Sequence, residues 1–130
     1  MSSHGFVNVY DQEEVNVKQV RYDVFVSLLF KLQHFDTMQL HAALGVCGEA
    51  GELADAIKKH VIYEKPLDRD NIIEELGDLR FYMQAVQNLY HINEQEVLQA
   101  NANKLAKRYK GLTYSDKAAQ ERADKDGTTN

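Results

Sequence analysis

From Leu40 to Gly48 the chain runs without a single Asp, Glu, Lys or Arg, and Glu49 and Glu52 follow at once. The stretch reads at helical period, as a helix that is apolar or small nearly all round. A helix of that kind belongs in a protein interior. Gly45, Gly48 and Gly51 fall in the same turns, and each mid-helix glycine costs about 1 kcal/mol relative to alanine. Three of them imply that another helix or a ligand comes close to this backbone. Glu49 and Glu52 are three residues apart and share one face. Carboxylates in such a setting are costly unless they are paired, protonated or bound to a cation.

The flanking sequence supplies partners for that helix. Val20, Val24, Leu28, Leu32 and Phe35, widened by Phe25 and Leu29, predict a first helix over about 17–35. Asp36 with Gln39 resembles a capping box and opens the second helix, predicted over about 38–62. Its apolar stripe is Leu40, Ala43, Leu44, Cys47, Ala50, Ala54, Ile57 and Val61. Glu49 and Glu52 point away from the centre of that stripe and share their side with Ala42, Gly45 and Ala56. Pro66, the single proline, separates this helix from the next.

Asp68 or Asp70 caps a third helix, predicted over about 69–91, with the stripe Ile72, Leu76, Leu79, Met83, Val86 and Tyr90. Glu75 lies on the edge of that stripe, with Asp78 beside it. Asn93 and Glu96 form a second capping-box pattern, and a fourth helix runs to about Tyr109, where Gly111 is placed to stop it. Val97, Leu98, Leu105 and Tyr109 form its apolar side; Asn101, Lys104 and Arg108 form an adjacent polar stripe. No useful alternating pattern of a strand is present. The expected fold is all-α, a bundle of four main helices in which the second and third pack as an antiparallel central hairpin. Residues 1–16 are expected to be irregular, 17–114 to form the helical domain, and 115–130 to be a polar, flexible tail.

Composition narrows the function. The 130 residues suffice for one domain, with 44% apolar and 27% charged residues, as in soluble globular proteins. A formal charge of −5 argues against nucleic-acid polymers and anionic membranes as partners. The single Cys47 forms no internal disulfide and reads as a small core residue. No apolar run is long enough to span a bilayer, and no signal-peptide core is evident; the expected location is cytoplasmic.

The chemistry gathers in one constellation. Glu49-x-x-Glu52 on the second helix and Glu75-x-x-Asp78 on the third are brought face to face by a hairpin. Four converging carboxylates repel, and a divalent cation relieves the repulsion. Mg²⁺ suits oxygen ligands and keeps waters for a phosphate substrate. His34, His41, His60 and His91 are scattered, without zinc-ligand spacing. Lys58, Lys59 and Lys65 follow the first acid pair, and Lys104, Lys107, Arg108 and Lys110 close the last helix. A plainer account makes the acids solvating charge and Lys104, Lys107, Arg108 and Lys110 partners of a helix C-terminus. Against it stand the glycines, the uncharged run upstream and the edge position of Glu75.

Gly48-Glu49-x-Gly51-Glu52-Leu53, followed by Glu74-Glu75-Leu76-Gly77-Asp78, resembles the MazG nucleotide pyrophosphohydrolase family. Asn101-x-x-Lys104-Leu105-x-x-Arg108-Tyr109 resembles that family's closing helix. The resemblance implies an all-α, Mg²⁺-dependent enzyme, with Mn²⁺ able to substitute. Such an enzyme cleaves a nucleoside triphosphate to a monophosphate and pyrophosphate. It implies Glu49, Glu52, Glu75 and Asp78 as metal ligands and catalytic acids, and Asn101, Lys104 and Arg108 as nucleotide contacts, with Lys107 and Lys58 weaker candidates. It further implies a homodimer or homotetramer in which two chains build one site. Alternatives are a pyrophosphatase restricted to dUTP or dCTP, a non-catalytic helical metal-binding or interaction module, and an acidic binder of a basic partner.

Overall fold

The computed structural model of the chain describes residues 5, 7–112 and 114–122. All regular structure among them is helical: α1 Tyr22–Leu29, α2 Phe35–Val61, α3 Arg69–Leu89, α4 Glu94–Arg108, a 3-10 turn Lys110–Leu112 and a short α5 Asp116–Glu121. These are the four main helices expected, with a short fifth. No described helix is long and apolar enough to cross a membrane. By contacts the chain divides into two units, Met1–His91 and Ile92–Asn130.

The first unit is built on the α2–α3 hairpin. Pro66 lies in the connection, and Glu64 takes a left-handed φ of 54° there. Asp68 then caps α3 by accepting from Asn71 N at 3.0 Å, a contact typically worth about 1 kcal/mol. The helices run antiparallel: the Tyr90 hydroxyl donates to Gln39 Oε1 at 2.7 Å, and Gly45 lies against the ring of Tyr82. The fully buried cluster is Val26, Ala42 and Ala85, flanked by Tyr22, Phe30, Phe81, Val86 and Leu89. Two of its three members are alanines, so the helix backbones come close. A polar chain also ties α3 to α1: Gln84 Nε2 donates to Asn88 Oδ1, and Asn88 Nδ2 donates to the Asp23 carbonyl, both at 2.9 Å.

Three sequence expectations need correction here. The first helix is Tyr22–Leu29 rather than 17–35, because Phe30 turns extended (ψ 131°). That turn lets its ring stack on His41, centroids 4.8 Å apart, and pack near Phe81. Burial of one aromatic thereby outweighs continuing an exposed helix through Leu32, which is 89% exposed. Asp36 is not a cap. The cap position is His34, without a side-chain bond, and Asp36 sits in the first turn, where its charge complements the helix dipole.

The third correction concerns the apolar stripe of α2, much of which is exposed. Leu40, Leu44, Ile57 and Val61 are exposed, and so is Cys47, contrary to its expected core role. The opposite side, with Ala42, Gly45, Glu49 and Ala56, is the more covered one. Only small residues let α3 approach there, so packing selects the narrow face rather than the greasy one.

In the second unit, α4 opens with a complete capping box between Asn93 and Glu96, at 2.8 and 2.9 Å. It ends before Gly111, whose φ of 78° is left-handed, a conformation natural to glycine. Ser115 caps α5 through Ala118 N at 3.0 Å. The remainder of the expected tail, 123–130, and residues 1–4 of the expected irregular start lie outside the described residues.

Candidate metal centre

The site follows from the hairpin's register. Gly45 sits on Tyr82. One turn on, Glu49 meets the level of Asp78, one turn before Tyr82, and Glu75 lies a turn beyond. The result is a group in which one carboxylate oxygen each from Glu49, Glu75 and Asp78 lie within 4.8 Å of one another. Glu49 and Glu75 are half-buried and Asp78 is exposed. Three hard oxygen donors from two helices, one side open, are a donor set that fits Mg²⁺ or Mn²⁺ and leaves room for further oxygen ligands.

Glu52, the fourth expected acid, is exposed and stands outside that group of three. It is still close enough to act electrostatically. The Glu75 carboxyl is held above its ordinary range, first by desolvation and then by the charges of Glu49, Glu52, Asp78 and Glu74. Such a set of like charges favours a cation among them. Asp78 also acts on α1: burial raises the Tyr22 phenol, Arg80 opposes the rise and Asp78 adds to it.

The glycines separate into two kinds. A methyl group at Gly45 would collide with the Tyr82 ring, whereas Gly48 and Gly51 face open space. Among the described residues, the close approach expected from three glycines is therefore made only at Gly45. Tyr82 in turn meets Phe81 and His41 edge-on, with centroids 5.2 and 5.7 Å apart. An aromatic wedge thus sets the helix spacing one turn from the acids.

The lysines after the acid pair also part company. Lys58 places its ammonium 5.3 Å from the centre of the Tyr63 ring. Lys59 turns to the acid side, its Nζ 3.0 Å from Asp55 Oδ2. Its ammonium is raised first by Asp55 and further by Glu52 and Glu75. Sequence reasoning gave Lys59 no role of its own, although the seven-residue step from Glu52 signals a shared stripe.

Asn101, Lys104 and Arg108 occupy one face of α4 by their three- and four-residue steps. Asn101 and Lys104 are exposed; Arg108 is half-buried, its guanidinium 6.0 Å from the Tyr109 ring centre. These residues belong to the second unit and the acids to the first. The second unit also holds an open apolar cavity of about 520 Å³ between Ala102, Leu105, Tyr109, Leu112 and Tyr114. Its lining carries no carboxylate or basic group, so it offers nothing to a metal or a phosphate.

Comparison with known proteins bears on the same residues. The model of the MazG nucleotide pyrophosphohydrolase domain matches residues 38–113, more than half of the chain and every acid of the site. The Gene 37 protein of Mycobacterium phage L5 is 34% identical over 73 residues, covering 52% of this chain and 63% of that protein. The chain thus spans less than two thirds of that relative's length. No solved structure matches it significantly.

Proposed function

Since the chain belongs to the MazG nucleotide pyrophosphohydrolase family, we propose that it hydrolyses a nucleoside triphosphate, ribo- or deoxyribo-, to the monophosphate and pyrophosphate in a Mg²⁺-dependent reaction. The observation that carries this reading is the convergence of Glu49, Glu75 and Asp78 from two antiparallel helices.

Glu49, Glu75 and Asp78 would hold the ion. When bound, it supplies charge neutralisation at the phosphate oxygens and a more acidic water. Glu52 is proposed as the fourth acid of the site, as a further ligand of the ion or as the acceptor of a proton from the attacking water. Asn101, Lys104 and Arg108 are proposed contacts of the nucleotide, their cations complementing phosphate charge.

The working form is proposed to be a homodimer or homotetramer. Leu40, Leu44, Ile57 and Val61 are 59%, 61%, 45% and 63% exposed along one face of α2. A contiguous apolar face of this kind marks an interaction surface, and a second copy offers a self-complementary cover.

The direct test is pyrophosphate release from a panel of nucleoside triphosphates, in Mg²⁺ and in excess chelator. Metal-dependent release with formation of the matching monophosphate is expected. Asp78→Ala is expected to abolish it while the helical circular-dichroism signal stays unchanged. An active Asp78→Ala protein would overturn the assignment.

A further inference from the structure

Lys59 is a cation beside the acids that the metal-binding reading leaves without a task. It lies on α2 about two turns, roughly 10.5 Å along the axis, beyond Glu52. Its ammonium is drawn back towards the acids by Asp55 Oδ2, at 3.0 Å. Asp55 itself stands only about 4.5 Å along the axis from Glu52. The pair is exposed, at 55% for Lys59 and 42% for Asp55, and exposed pairs of this kind hold loosely. The ammonium is therefore placed to exchange Asp55 for a stronger acceptor. Lys58, the neighbouring cation, is directed to Tyr63 instead.

Charge builds up on the leaving pyrophosphate as a phosphoanhydride is cleaved. Three ionised carboxylates around one divalent ion leave no net positive charge for that group. We propose that Lys59 binds the pyrophosphate portion of the substrate from the α2 side, resting on Asp55 in the free protein and moving to a phosphate oxygen when substrate binds. This assignment rests on the hydrolase reading above. It makes Asp55 a parking place for the cation rather than a structural partner.

The test compares Lys59→Met, Lys59→Arg and Asp55→Asn in the full chain. Binding of inorganic pyrophosphate in the presence of Mn²⁺ is measured by calorimetry, and binding of Mn²⁺ alone by electron paramagnetic resonance. Lys59→Met is expected to weaken pyrophosphate binding about tenfold or more, while Mn²⁺ alone binds as tightly as before or tighter, a like charge having been removed. Lys59→Arg should retain most of the pyrophosphate affinity. Asp55→Asn should keep or gain it, since the resting partner is gone. A purely structural ion pair predicts instead that Lys59→Met and Asp55→Asn fall together, and that result overturns the assignment. So does wild-type pyrophosphate affinity in Lys59→Met. Failure of the unaltered chain to bind Mn²⁺ overturns the hydrolase reading itself.

Discussion

Replacing Gly45 by alanine tests the idea that one aromatic wedge sets the spacing of the two helices that carry the acids. A Cβ at this position falls inside 3.0 Å of three ring atoms of Tyr82, while the same addition at Gly48 or Gly51 meets nothing. Each substitution gains about 1 kcal/mol of helix propensity. Gly45→Ala alone adds an overpacking penalty of about 1–3 kcal/mol. The ring cannot retreat freely, because Phe81 and His41 already lie against it. Its stability is thus expected to fall about 1–3 kcal/mol below that of Gly48→Ala, or roughly 3–12 °C in Tm for a chain of this size.

The acids lie one turn from the wedge, so separation of α2 from α3 there also spreads the carboxylates, and Mn²⁺ affinity should drop. Thermal unfolding in chelator and Mn²⁺ titration measure the two effects. In a Tyr82→Leu background the penalty should largely disappear, giving a coupling energy between the two sites. A Gly45→Ala protein as stable as Gly48→Ala, with unchanged Mn²⁺ affinity, would refute the wedge.

Two further expectations follow from the site and from the open face of α2. Glu75 is held above its ordinary range by desolvation and four neighbouring acids, so the folded chain binds that proton more tightly than the unfolded one. Its contribution to stability therefore declines as pH rises from the ordinary glutamate value through the raised one. In chelator, Glu75→Gln should melt higher than wild type at neutral pH, and the difference should shrink in acid; a difference independent of pH would contradict the shift. Leu44→Lys, in the middle of the exposed face, should lower the mass measured by light scattering to that of a single chain, with helix content kept. An unchanged oligomer would place the interface elsewhere.

The parts of the fold legible from sequence were those governed by local rules. Asp68 ahead of α3 and the Asn93–Glu96 pair ahead of α4 act as caps because capping is settled within four residues. The convergence of Glu49, Glu75 and Asp78 followed from helical spacing and a short connection. Tertiary choices were less legible. Periodicity located an apolar stripe on α2, but it carries no information on whether other residues cover that stripe. The structure shows that α3 packs on the small-residue side instead. The first helix was overextended for a related reason: Leu28 and Leu32 fit a helical stripe, yet Val26 and Phe30 are the residues that reach the hairpin. No spacing rule separates Gly45 from Gly48 and Gly51, since only the position of Tyr82 does.

The hairpin that carries the three acids spans Phe35 to Leu89 as one unbroken stretch of chain. Its two helices are joined by seven residues, 62–68. Contacts so close in sequence close at small entropic expense and form early in folding. Assembling the hairpin brings the carboxylates together, and their mutual repulsion opposes that step. A divalent cation present during refolding would relieve it. An ion held by these acids would therefore act on the rate of folding as well as on the chemistry of the finished site.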